Sequence, residues 1–164
     1  MQTHQYRNLG IIEKLMRLFS IVLLVLLFLK AIIHLDTNYD TGWYHHVFAA
    51  RIWGIIPRET FSTEKLIEYC YDGFPLLAHF LQGLLWKITG QIKATNLVAY
   101  FSVIIYIFFL RSCFKIPWYI STIAIFTIPA VTTHSTASYV DLLANIGVSV
   151  ALRKHWFKQY WDWR

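Results

Sequence analysis

The sequence predicts an all-α, polytopic membrane bundle of about four transmembrane helices, with one long external loop that carries interfacial helices. Three observations lead there. Of 164 residues, 57% are hydrophobic and mean hydropathy is +0.45, above the roughly 45–50% apolar share of soluble domains. Four apolar segments, Leu15–Leu35, Ala94–Leu110, Ile116–Val131 and Val140–Leu152, are separated by polar stretches and read as bilayer spans. The third observation is the placement of Lys and Arg. With the N-terminus in the cytoplasm, four spans put Arg7, Lys14, Arg17, Arg111, Lys115, Arg153, Lys154, Lys158 and Arg164 inside, against Arg51, Arg58, Lys65, Lys87 and Lys93 outside. Letting Phe74–Ile88 cross as well inverts this balance, contrary to the enrichment of cytoplasmic loops in Lys and Arg. Both termini are therefore expected in the cytoplasm, the chain being a single plasma- or inner-membrane domain.

Residues Met1–Lys14 form the cytoplasmic arm. The first span, 15–35, follows basic residues as a secretory signal would, but its apolar run continues to Leu35 without a small-x-small cleavage site, so it is read as a retained helix. Lys30, near its outer end, can snorkel into the headgroups. The external loop, 36–93, opens with a helix from Thr41, on which Trp43, Val47, Ala50 and Gly54 recur at helical spacing, with Pro57 as its stop. Its aromatics suit the headgroup layer. A second loop helix, Pro75 to Thr89, is too short to span, ends at Gly90, and reads as re-entrant or surface-lying. Span 94–110 closes at Arg111 and Lys115; span 116–131 returns outward; Thr132–Tyr139 is a small hydroxyl-rich loop; span 140–152 leads to the basic, Trp-bearing tail 153–164.

The net charge of +6 does not point to nucleic acid, because the cations flank apolar spans and belong to no reading module. They fit topology signals and contacts to anionic membrane lipid. Cys70 and Cys113 fall on opposite membrane sides, and no CxxC spacing, Walker loop, GxSxG or HExxH occurs.

Chemistry is expected where Asp36, Asp40 and Asp141 meet on the external face. A carboxylate at the membrane surface among Tyr39, Trp43 and Tyr44 can accept a proton from a hydroxyl or amine. Asp40 can equally be the N-cap of the Thr41 helix, and Asp141 can equally meet the free N–H groups of a helix start. Adjacent His45 and His46 point to different helix faces, which argues against a two-His metal site. A divalent cation held by carboxylates stays open, though the sequence requires none. Arg51, Arg58 and Lys65 are candidates to neutralise a lipid-linked phosphate, or simply to meet headgroups.

One N-terminal span, an acidic loop reading Tyr39-Asp40-x-x-x-Tyr44-His45, an interfacial helix and a Pro75-led helix resemble the C-type (GT-C fold) glycosyltransferases, in particular the protein mannosyltransferase and aminoarabinose-transferase relatives. The resemblance implies transfer of a sugar from a polyprenyl-phosphate donor to an acceptor on the external face. It makes Asp40 the catalytic base, Asp36 a weaker candidate, and Asp141, in His134–Asp141, the second acidic position. Tyr44, His45, Arg51, Arg58 and Lys65 would attend the donor phosphate and its lipid. Gly73-Phe74 stand where relatives carry a basic residue before the proline, and the family runs to more spans. The short chain alone is therefore expected to be inactive, needing helices from a longer product or a partner membrane protein. A small non-catalytic membrane subunit or lipid-binding scaffold is the alternative.

Overall fold

The computed structural model describes residues 2–57, 65–73 and 76–161. Most of those residues are helical, with no strand among them: α1 Gln2–Ile33, α2 His46–Ile52, α3 Lys65–Gly73, α4 Leu77–Thr89, α5 Asn96–Phe114, α6 Trp118–Phe126, α7 Pro129–His134 and α8 Asp141–Trp161. A π-helical turn, Thr41–His45, leads into α2, and a 3₁₀ turn, Ile92–Thr95, leads into α5. Two segments are long and apolar enough to cross a membrane: Gly10–Ile33, with mean hydropathy 2.5, and Ile92–Phe114, with 2.0.

Contacts between helices fix their directions. Asn96 Nδ2 donates to the carbonyls of Ala31 and His34, while Tyr100 Oη reaches Leu24 O, so α5 descends as α1 ascends. Ser20 Oγ donates to Tyr119 O, which starts α6 low beside α1. Arg153 Nη2 donates to Cys113 O, so α8 descends beside α5. Leu27, Ala31, Tyr100, Val103, Ile107 and Phe126 form the core of this up-down-up-down bundle. Helices α2 and α4 pack together as a cap at the upper end.

Several boundaries differ from the sequence expectation, for identifiable reasons. Segment 116–131 is not one helix: α6 ends at Phe126 and α7 begins at Pro129, with Ile128 extended at φ −83°, ψ 112°. Pro129 has no N–H for the helical ladder and forces the residue before it out of the helical region. Helix α7 also occupies part of the expected loop 132–139. The loop helix stops at Gly54, not Pro57: Gly54, at φ 61°, and Ile55 donate to Arg51 O and Ala50 O, the paired bonds of a Schellman C-cap. Gly90, at φ 67°, ends α4 where expected. The 1–14 arm is helical from Gln2, and α8 continues past Leu152 to Trp161. The expected helix start at Pro75 lies outside the described residues.

Gly83 sets how closely α2 and α4 approach. A Cβ there would collide with the Ala49 carbonyl and the Trp53 ring, whereas one at Gly147 would meet nothing within 4 Å. The backbone carbonyl cannot swing aside, so Gly83→Ala should destabilise the protein by about 1–3 kcal/mol. Gly147→Ala should not lower the melting temperature in detergent; equal melting of both variants would show that the α2–α4 packing is looser than described.

Candidate functional site

The upper end of the bundle is organised around a buried polar knot at Ser138. Its N–H donates to Asp36 Oδ2 at 2.9 Å, its Oγ to Asn96 Oδ1 at 2.8 Å, and its carbonyl accepts from Gln82 Nε2 at 2.7 Å. His46 Nε2 lies 2.9 Å from Ser138 Oγ and 3.1 Å from Thr95 Oγ1. Proton bookkeeping fixes His46: the Ser138 hydroxyl proton goes to Asn96 Oδ1, and Thr95 Oγ1, 2.7 Å from both Ser138 Oγ and Ile92 O, shares its single proton between them, so the contact of His46 Nε2 with Ser138 Oγ needs a hydrogen on the ring. These groups come from five separate stretches of chain, and Ser138, Gln82 and Thr95 have no exposed surface.

Asp36 belongs to this knot. Oδ1 accepts from the N–H and Nδ2 of Asn38, at 3.1 and 2.7 Å, and Oδ2 accepts from Thr41 Oγ1, at 2.7 Å, as well as from Ser138. Burial works to raise this carboxyl, but the hydrogen bonds from Thr41, Ser138 and Asn38, with His46 nearby, outweigh it and hold it below its ordinary value. A carboxylate so stabilised is a poor proton acceptor, so the structure gives Asp36 a structural post instead of the expected catalytic one. The capping expected of Asp40 is not made. The Asp36–Asn38 bond forms an Asx-turn into the helix, while Asp40 is already helical, at φ −62° and ψ −36°, and makes no side-chain cap bond.

Asp40 and Asp141 lie elsewhere at the same end. The phenol of Tyr139 is raised by burial and then by Asp40, Asp36 and Asp141; that of Tyr44 by burial and then by Asp40 and Asp141. All three carboxylates therefore sit within electrostatic reach of one tyrosine. Asp141 is the exposed first residue of α8, a position where a negative charge meets the helix dipole favourably. Beside it, α4 and α8 enclose a largely apolar cavity of about 390 Å³ lined by Tyr44, His45, His79, Val140, Asp141 and Gly147.

His45 and His79 are 2% and 1% exposed, and His45 Nδ1 lies 3.0 Å from His79 Nε2. The π-helical turn aims His45 at α4 while His46 faces the Ser138 knot. Burial lowers all three histidines to about 4, with His46 adding to the effect on His45 and His45 to that on His79; Asp36 opposes it at His45 and His46. His45 is therefore neutral at pH 7 and could meet a phosphate only as a hydrogen-bond donor, without charge. Arg51 is already engaged: its guanidinium binds Glu68 at 2.9 and 3.1 Å and lies 4.4 Å over the Tyr71 ring. It does border a recess of about 1060 Å³ together with Pro57, Tyr71 and Phe80. Lys65 opens α3, and Arg58 lies outside the described residues. No group of three or more His, Cys, Asp or Glu is arranged for a metal among the described residues.

Sequence reasoning missed His79, Gln82, Thr95, Asn96 and Ser138. His79 and Gln82 carried a usable signal, being polar residues three apart on an otherwise apolar helix and so on one face.

Comparison with protein-family models, curated proteins and solved structures finds no match to this chain.

The histidines make stability acid-sensitive. Their unfolded value of 6.5 falls to about 4 in the fold, so between these limits the unfolded chain binds protons that the folded chain refuses. Their contribution is complete above pH 6.5 and lost as pH falls toward 4, by about 3 kcal/mol for His46 alone. Thermal melting in detergent should drop across that window and stay level from pH 7 to 8. A flat profile from 7 to 4 would show that these rings are not held neutral.

Proposed function

We propose that the chain is the front part of a membrane-embedded transferase that moves a sugar from a polyprenyl-phosphate donor to a hydroxyl or amine acceptor at the external membrane face. The observation that carries the reading is an apolar cavity at one bundle end lined by Tyr44 and Asp141, with Asp40 in electrostatic reach of the Tyr44 and Tyr139 phenols. An apolar cavity with a few convergent polar groups is the usual form of a small-molecule site. In the proposed step Asp40 takes the acceptor's proton, the acceptor oxygen or nitrogen bonds to the anomeric carbon, and the bond from that carbon to the phosphate oxygen breaks, its electron pair leaving on phosphate. Asp141, on the α8 side, orients the sugar or acceptor hydroxyls.

In this reading all four rods, α1, α5, α6–α7 and α8, cross the bilayer. Charge distribution supports it: Arg17, Arg111, Lys115 and Arg153 belong to the lower end, and Asp36, Asp40 and Asp141 to the upper. So does the outward face of α1, where Leu15, Leu18, Phe19, Val22 and Leu26 are each about half exposed or more, an apolar surface that needs lipid or protein over it. The engagement of Arg51 by Glu68 and of Asp36 by the knot favours the second reading, a non-catalytic scaffold. On the transferase reading further helices, from a longer product or a partner, supply the cations for the donor phosphate.

Asp40→Asn should reduce sugar transfer in the complete enzyme by about 10²-fold or more while leaving abundance and insertion unchanged, because Asp40 makes no cap bond. Lipid and glycan mass spectrometry of cells expressing each form measures it; wild-type transfer by the variant would favour the scaffold. Reporter fusions at both termini should report cytoplasm, and a tail found outside would mean an odd number of crossings.

A further inference from the structure

The lower end of the bundle holds a recess that the transfer step does not use. Helix α1, the end of α5 and the start of α6 border about 510 Å³ of space lined by Arg17, Arg111, Ser112, Lys115, Trp118 and Tyr119. Three cations, from α1, from α5 and from the turn that follows it, thus meet at one place, and no carboxylate lines it. Packing builds this convergence. Ser20 Oγ donates to the Tyr119 carbonyl, and Arg17, three residues earlier on α1, lies on the same helix face with its guanidinium 5.5 Å from the centre of the Tyr119 ring. On the other wall Arg153 fastens the end of α5 by donating to Cys113 O. Glu13 pairs with Arg17 at the surface. An exposed pair of this kind is weak, and the guanidinium fork has further donors to offer.

Lys115 separates a binding site from a chance cluster. Its backbone is left-handed, at φ 60° and ψ 18°, and among the described residues the other positive φ values belong to Gly54 and Gly90, which end α2 and α4. A side chain in this conformation is strained, whereas glycine adopts it without strain. A favourable charge at the end of α5 does not require the lysine, because Arg111 already stands in its last turn. The lysine therefore keeps its place for a charge in the recess. We propose that the recess binds the phosphate of an anionic phospholipid in the lower, cytoplasmic leaflet, with Arg17, Arg111 and Lys115 around the phosphate and Trp118 and Tyr119 at headgroup level. One step further up the two helices, Leu18, Phe19 and Ile120 are exposed. That apolar surface suits the acyl chains, so the phosphate that fits here is one carried by a lipid. The inference rests on the bundle crossing the membrane, as the proposed function has it, and on nothing in the transfer chemistry.

Native mass spectrometry of the full chain, released from neutral-detergent micelles with added phosphatidylglycerol or phosphatidylcholine, tests the site. One phosphatidylglycerol should be retained per chain, and phosphatidylcholine, whose headgroup carries a compensating cation, should be lost. Lys115→Gly and Arg111→Gln should each weaken retention about fivefold, the usual effect of one cation at a lipid surface. Glycine takes the backbone conformation of residue 115 freely, so weaker binding by Lys115→Gly reports the charge and not the fold. Lys30→Gln, at the opposite end of α1, should retain the lipid as the wild type does, and inorganic phosphate should not displace it. Undiminished retention by Lys115→Gly, an equal loss in Lys30→Gln, or displacement by inorganic phosphate overturns the proposal. A failure of the membrane crossing appears in the reporter fusions, and a failure of this site in the lipid counts.

Discussion

The bond from the Ser138 N–H to Asp36 is the constraint on which the upper half of the molecule depends. It joins residues 102 positions apart, and Ser138 spends its remaining groups on Asn96 and Gln82. Asn96 in turn holds the last carbonyls of α1. One serine therefore fastens the end of α1, the acidic loop, the cap helix α4, the start of α5 and the approach to α8. Each bond is worth only about 1 kcal/mol net. Being buried, however, the groups are expensive to leave unpaired, so the network stands or falls as a unit.

That fastening positions Asp40 and Asp141. Asp40 follows Asp36 by four residues on the helix that the Asx-turn starts, and Asp141 follows Ser138 by three at the head of α8. Neither has a bond of its own that would place it. They share one end of the bundle because the residues just before them in the chain are tied together. The carboxylate with its lone pairs filled builds the scaffold, and the two with open lone pairs are those that the proposed transfer step uses.

The all-helical class and the two long apolar helices were legible because hydropathy is a property of composition along the chain, and Gly90 was legible as a stop because a left-handed residue after a helix favours glycine. What could not be read was pairing across distance. Asp36 and Asp40 look alike in sequence; the bonds from Asn38, Thr41 and above all the distant N–H of Ser138, a backbone group invisible to pattern reasoning, separate them. Arg51 likewise reads as an available cation until Glu68 is folded onto it. The break at Pro129 was readable in principle, but a continuous apolar run masked it.

The most direct test of the knot is a double-mutant cycle between Asp36→Ala and Asn96→Ala, with unfolding followed in mixed micelles. The two residues are on different elements and do not bond to each other; Ser138 bonds to both, and Asn96 also holds the His34 carbonyl two residues before Asp36. If the network acts as a unit, the combined loss of stability should fall short of the sum of the single losses by about 1 kcal/mol or more. Losses that add within about 0.5 kcal/mol would mean that the two loops are fastened independently, and that Ser138 does not hold the carboxylates together.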